Sequence, residues 1–292
     1  MNIVIADKME PEVVAEIKKL GKVELTPANL PAALATADVL IVRSATKVTE
    51  ELLTHAPKLK LVARAGVGMD NVDKAACEKR KIKVVNTPGA SSNSVAELAL
   101  GMMFAISRRI PKADTGMKNK QWLKKELTGI ELQDKTLGVV GFGRIGSILA
   151  MKAKAIGMNI IYHDPSKASA AVGRGVGLEE LFSSADFISL HVPATPETKG
   201  MINEAMLSKM KKSAVLINTA RGALIDEEAL YNALKEGKIA GACLDVYSSE
   251  PYSGKLCELD NVVLTPHIAG STKEAQARIG QELIEKLKQE VQ

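Results

Sequence analysis

A chain of 292 residues is long enough for about two domains and can bury real cores without disulfide or metal staples. Its 46% hydrophobic and 25% charged content excludes extensive disorder, and four Phe, four Tyr and one Trp are too few for a platform that stacks nucleobases. The net charge of +5, with no basic tail, fits a small anionic ligand and gives no support to a nucleic-acid or membrane partner.

The chain opens on Met1-Asn-Ile-Val-Ile, which already reads as a strand, so no signal peptide is expected. Short Val- and Ile-rich runs then alternate with helix-period segments. Strands are predicted at Ile3–Ala6, Val23–Thr26, Val39–Val42, Leu61–Ala63 and Val84–Asn86, with an amphipathic helix at Glu12–Leu20. A long helix, Ser94–Arg109, follows. Its most apolar part, Val95 to Ile106, carries Glu97 and falls short of the ~18 apolar residues a membrane span needs, so a buried helix is expected. Further strands are predicted at Leu137–Gly141, Asn159–Tyr162, Phe187–Leu190, Val215–Asn218, Ala242–Val246 and Val262–Thr265. Helices at Ile145–Ile156 and Glu227–Lys235 lie among them, and a last helix covers Thr272–Val291.

Runs that are apolar on both faces and separated by helices imply parallel strands covered on two sides. The expected fold is therefore α/β, with two doubly wound parallel-sheet domains. No Pro/Gly/Ser-rich linker marks a boundary, but the two long helices suit the crossings of an inserted domain. That places a first domain at 1–92, a second at 93–270, and a returning segment at 271–292. Cys77, Cys243 and Cys257 form no Cys-x-x-Cys pair, which points to reduced thiols in a cytoplasmic protein and gives no support to a metal site.

In Leu137-Gly-Val-Val-Gly141-Phe-Gly143-Arg144-Ile145-Gly146 an apolar strand runs straight into Gly-x-Gly-x-x-Gly and then a helix. Gly141 permits the tight turn, Gly143 lets the backbone approach a pyrophosphate, and Gly146 allows close helix–strand packing. The pyrophosphate would rest on free N–H groups at the helix N-terminus. Asp164 lies 18 residues beyond Gly146, at the end of the next strand. A carboxylate there binds ribose hydroxyls and repels a 2′-phosphate, which favours NAD over NADP.

Ligands of open parallel sheets bind beyond the carboxyl ends of the strands, and three of those ends carry unusual chemistry. Val215–Asn218 runs into Thr219-Ala220-Arg221-Gly222, Ala242–Val246 leads to Ser249-Glu250-Pro251, and Val262–Thr265 leads to Pro266-His267-Ile268-Ala269-Gly270. Singly, Arg221 reads as a helix-capping or surface cation, Glu250 as a solvated loop acid and His267 as a satisfied, partly buried histidine. Together they supply a hydride-transfer site on a hydroxy acid. Arginine forks a carboxylate and polarises a carbonyl, histidine takes or returns the hydroxyl proton, and the glutamate orients it and stabilises its charged form.

The glycine fingerprint, Asn218-Thr-Ala-Arg221-Gly222, Leu244-Asp245-Val246, Glu250-Pro251 and Pro266-His267-Ile-Ala-Gly270 resemble, in order and spacing, the D-isomer-specific 2-hydroxyacid dehydrogenases. The resemblance implies a Rossmann NAD domain inserted into a flavodoxin-like substrate domain, and a homodimer formed largely through the NAD domain. It assigns substrate binding to Arg221, acid/base chemistry to His267 and the pairing acid to Glu250. It also gives the nicotinamide amide to Asp245, and lines the cofactor with Val67, Arg144, Ile145, Val192, Thr219, Ala220, Ala269 and Gly270. Members of the superfamily that act as NAD-sensing corepressors are the alternative from another class.

Arg43-Ser-Ala-Thr-Lys-Val-Thr49 and Arg64-Ala65-Gly66-Val67-Gly68-Met-Asp70 narrow the resemblance to members acting on a phosphorylated hydroxy acid. Arg43 and Arg64 end successive strands, and two guanidiniums suit a phosphate dianion. Gly66 and Gly68, with Ala65 and Val67 between and before them, are expected to present backbone N–H groups to a carboxylate. Some relatives carry a further regulatory domain; the chain stops soon after its last helix, so a short form is expected. Glu250 departs from formate dehydrogenase, which resembles the family but has Gln there.

Overall fold

The computed structural model describes residues 1–167 and 169–291; Gln292, the end of the predicted returning segment, lies outside the described residues. Two compact units are present, one formed by Met1–Ser91 with the chain from Ser271 onward, the other by Ser92–Gly270.

The first unit holds β1 (Asn2–Ile5), β2 (Lys22–Leu25), β3 (Val39–Val42), β4 (Leu61–Arg64) and β5 (Lys83–Asn86), all parallel, in the order β2-β1-β3-β4-β5. This is the flavodoxin-like order, with its reversal between β1 and β3. The Val-Leu-Ile-Val run of β3 is buried throughout, as a central strand covered on both faces must be. The helix Pro11–Lys18 starts on a proline, whose missing N–H costs nothing in a first turn. It packs on the C-terminal helix Lys273–Val291, where a Cβ on Gly280 would come 2.2 Å from the Val13 side chain. Ile279, Leu283 and Leu287 of that helix enter the same core as Ile3, Ile5 and Ile41.

The second unit holds β6 (Thr136–Val140), β7 (Asn159–His163), β8 (Arg174–Gly175), β9 (Phe187–Leu190), β10 (Val215–Asn218), β11 (Gly241–Leu244) and β12 (Val262–Leu264). Its order is β12-β11-β10-β9-β6-β7-β8, again all parallel, and reverses between β6 and β9. The helices Ser92–Ser107 and Arg144–Ala155 pack together over it, contributing Ala96, Ala99, Met103, Leu149 and Ala150 to one core. The doubly wound parallel sheets expected from the apolar runs are thus present in both units, and the strand orders are those that the family resemblance implied.

Several predicted element ends shift by a residue or two, as at Asn2–Ile5 and Ser92–Ser107, and two further differences have a plain physical reason. β8 has two exposed residues and no apolar run to announce it. β11 stops at Leu244 rather than Val246, because Asp245, although its N–H still reaches Asn218 O at 3.0 Å, turns its carboxylate into the next loop. Among the described residues, no helix is long and apolar enough to cross a membrane.

Candidate active site

The glycine turn sits at the reversal between β6 and β9. Gly141 has φ 88°, and a Cβ there would lie 2.6 Å from His191 O on the neighbouring strand end. A Cβ on Gly146 would lie 2.2 Å from Gly141 O, whereas Gly143 faces open space. Closed sides at 141 and 146 and an open one at 143 are what a pyrophosphate laid over the turn requires. Gly143 precedes Arg144 at the helix start without a side-chain cap, and Ile145 is half-buried in the first turn, so the N–H groups face outward for an anion. These residues fit a dinucleotide.

Asp164 closes the turn. Its Oδ2 accepts from Phe142 N–H at 2.8 Å, and its Oδ1 accepts from the Ser166 hydroxyl at 2.7 Å and N–H at 2.9 Å. The Ser166 hydroxyl, helped by those N–H groups, holds the carboxyl below its ordinary range against the opposing effect of burial, so it stays charged at neutral pH.

At the end of β9, the Val192 side chain packs beside Gly141. The preceding His191 has Nε2 2.9 Å from the buried Ser189 hydroxyl, and its Nδ1 is sealed from solvent with no partner among the described residues. Burial pushes this imidazole down to about 4. The unfolded chain takes up the proton near pH 6.5 and the folded one does not, so stability falls as pH drops through that window. His191→Gln removes the titration. Its stability deficit relative to the parent protein should shrink by about 2 kcal/mol between pH 7 and pH 4.5 in denaturant titrations. A deficit independent of pH would refute the assignment.

The three chemistry-bearing strand ends are locked together. At the last residue of β10, Asn218 is fully buried; its amide donates to Arg221 O at 2.8 Å and its Oδ1 accepts from Ala220 N–H at 3.0 Å, which shapes the turn through Thr219. Arg221 Nη1 donates to Ala220 O at 2.6 Å. Gly222 lies so close to the Tyr247 backbone that a Cβ would come 1.9 Å from its carbonyl carbon, so the Arg221 and Glu250 loops touch. Tyr247 stacks on Tyr252 at 4.3 Å, and its hydroxyl lies 2.9 Å from Thr265 O, tying in the third loop. Burial pushes that phenol up to about 12, so it remains a donor at neutral pH.

Glu250 Oε1 accepts from Tyr247 N–H at 3.2 Å, and Oε2 meets His267 Nδ1 at 2.7 Å. His267 has φ 53°, in the left-handed region. Asp245, with no solvent exposure, supports that conformation. Its Oδ1 accepts from the Thr265 hydroxyl at 2.5 Å and Ile268 N–H at 2.8 Å, and its Oδ2 from Ala269 N–H at 2.9 Å. The Ser94 hydroxyl donates to Ala269 O at 2.5 Å, one residue before Gly270. The roles of Asn218, Tyr247 and Ser94 were not read from the sequence. Each acts through a partner in another loop or through its own turn, and no spacing rule flags that.

The other expected site residues lie in the first unit. Asp7, just past β1, accepts from Arg43 N–H at 2.5 Å and the Thr46 hydroxyl at 2.6 Å, while the Asn71 amide donates to Arg43 O at 2.8 Å and Thr46 O at 2.7 Å. Arg43 therefore stands on a clasped turn at the β1/β3 reversal, with Nη1 on Lys8 O at 3.0 Å. Arg64 folds back over Gly66, which has φ 144° and where a Cβ would come 1.7 Å from the guanidinium. The glycine makes room for that side chain, a reason the sequence reading did not contain. Ala65 is buried, and Val67 and Gly68 are half-buried, with Val67 O accepting from the Asn86 amide at 2.7 Å.

Residues 100–269 match the family model for the D-isomer specific 2-hydroxyacid dehydrogenase, NAD binding domain. Over 99% of its length the chain is 47% identical to a D-3-phosphoglycerate dehydrogenase of Methanocaldococcus jannaschii, of which it spans 57%. It is 51% identical to a hydroxypyruvate reductase of Thermotoga maritima, with 87% of the chain and 85% of the relative aligned. Its fold is similar to that of an Aquifex aeolicus D-lactate dehydrogenase solved with NAD and lactic acid (TM-score 0.89, 34% identity, covering 100% of this chain and 95% of that one).

Proposed function

The chain belongs to the D-isomer specific 2-hydroxyacid dehydrogenases, and from that membership we propose that it oxidises D-3-phosphoglycerate to 3-phosphohydroxypyruvate with NAD, the step that opens serine biosynthesis. The observation that carries this reading is the 2.7 Å contact between His267 Nδ1 and Glu250, on a loop locked to that of Arg221.

NAD, when bound over residues 141–146 and Asp164, supplies the hydride acceptor. With Nδ1 protonated and turned to Glu250, Nε2 of His267 is the nitrogen that accepts the hydroxyl proton. Glu250 stabilises the resulting imidazolium, and Arg221 holds the carboxylate and polarises the forming carbonyl. Arg43 and Arg64 read the phosphate, and residues 65–68 take part in substrate binding. The nicotinamide carboxamide falls to Asp245, whose oxygens retain lone pairs beyond those its own chain uses.

Reduced-nicotinamide absorbance with a panel of phosphorylated and unphosphorylated D-2-hydroxy acids tests the substrate. Turnover of hydroxypyruvate in preference to the phosphorylated acid would favour the second reading, supported by the Thermotoga maritima relative. Absence of turnover with every acid would leave a binding platform.

Arg43→Ala isolates the phosphate contact, because Asp7 and Asn71 hold the backbone of its turn and not its side chain. Losing one charge-assisted contact should lower kcat/KM roughly ten- to a hundredfold on D-3-phosphoglycerate and much less on D-glycerate. Equal losses on both would remove the phosphate-reading role.

The proposal includes a homodimer through the second unit. Phe104, Ile110, Met117, Trp122 and Ile130 all stay exposed there, within one stretch of chain, and suit a second copy. Free Cys77, Cys243 and Cys257 suit the reducing cytoplasm.

A further inference from the structure

Beyond the acid at Asp164, the loop after β7 carries a cation with a fixed seat. Lys167 is half-buried; its Nζ donates to Phe142 O at 3.2 Å and lies 5.3 Å from the centre of the Phe142 ring. Phe142 stands between the glycines at 141 and 143, and its N–H is the one that Asp164 Oδ2 accepts. A carboxylate and an ammonium therefore grip the two polar sides of one residue of the dinucleotide turn. Ser166 completes the group with its N–H and hydroxyl on Asp164 Oδ1. The ammonium is near enough to add to the effects that keep Asp164 ionised.

We infer that Lys167, with the Ser166 hydroxyl, is a specificity-determining residue that admits a 2′-phosphorylated adenosine, so that the chain discriminates only weakly between NAD and NADP. This rests on the dinucleotide reading of residues 141–164. A bare carboxylate at this position repels a 2′-phosphate by like charge. Here both carboxylate oxygens already accept hydrogen bonds, and a cation stands beside them to offset the repulsion. Lysine carries three rotatable donors on a flexible stem, so its head can leave one carbonyl and one ring face for a phosphate dianion. The serine hydroxyl can turn to the same oxygens. Because the group is partly exposed, its preference for the extra phosphate is screened by salt.

Calorimetric titration of NAD and NADP without substrate reads this directly, since the two differ only in the 2′-phosphate. The protein should bind NADP within about tenfold of NAD. Lys167→Ala should weaken NADP about tenfold or more and leave NAD within about twofold, and Lys167→Arg should restore NADP. The effect of Lys167→Ala on NADP should shrink in high salt. An unchanged NADP affinity in Lys167→Ala would overturn the inference, and so would an equal loss on both cofactors, which would make Lys167 a brace for the glycine turn. If the unmodified protein binds neither cofactor, the dinucleotide reading itself fails and takes this inference with it.

Discussion

Replacing His267 with alanine is expected to lower turnover ~10²–10⁴-fold while leaving NAD affinity within about twofold. The separation follows from what holds the loop. Its backbone is fixed by Asp245 through Ile268 and Ala269, and by Ser94 through Ala269 O; the imidazole takes no part in either. The ring is 46% exposed and meets Glu250, so its truncation opens no cavity in a core. What disappears is the nitrogen proposed to exchange a proton with the substrate hydroxyl. Glu250→Gln should give a smaller loss, because the amide oxygen still accepts from Nδ1 but no longer stabilises a positive ring. Single-turnover rates and cofactor titrations on both variants check this. Near-normal turnover in His267→Ala would end the acid/base assignment.

Asp245→Ala is expected to cost about as much activity, by a different route, and also to cost stability. Truncation leaves the Thr265 hydroxyl, the partly buried Ile268 N–H and the buried Ala269 N–H without their acceptor, at about 1–3 kcal/mol for each buried group left unsatisfied. A loss on the order of 3 kcal/mol or more should therefore appear in denaturant unfolding of the cofactor-free protein. Without the carboxylate, nothing of equal strength holds His267 in its left-handed conformation, and turnover should fall with the loop's order. Asp245→Asn keeps one oxygen but turns an NH2 toward a donor, so it should fall between the two. If cofactor-free stability is unchanged while NAD binding is lost, the carboxylate serves only the nicotinamide amide. The two roles are thus separable by measurement.

These expectations differ in how far they could be read without coordinates. The residues proposed for acid–base chemistry could be named from the sequence because strand ends in a parallel α/β sheet face one ligand side, and Arg221, Glu250 and His267 each follow a recognisable apolar run. The glycine turn was legible for the same reason: Gly141, Gly143 and Gly146 are close in sequence, and their steric duties concern neighbours a few residues away. Central strands such as Val39–Val42, Phe187–Leu190 and Val215–Asn218 appear with the predicted ends, since continuous burial demands continuous apolar residues.

Tertiary structure alone decided the rest. Asp7 grips a turn 36 residues away, and Asp245 grips one 20 to 24 residues away. Gly66 is required by a guanidinium and Gly222 by the backbone of Tyr247. Lys167 reaches back 25 residues to Phe142. Each of these pairs exists because strand order sets distant loops side by side, whereas hydrophobic periodicity records only whether a residue faces a core. The sequence by itself determined the elements, the dinucleotide turn and the chemical inventory. Which polar side chains brace the loops that carry that inventory depended on sheet order and close packing, and on the need of every buried N–H and carboxylate for a partner.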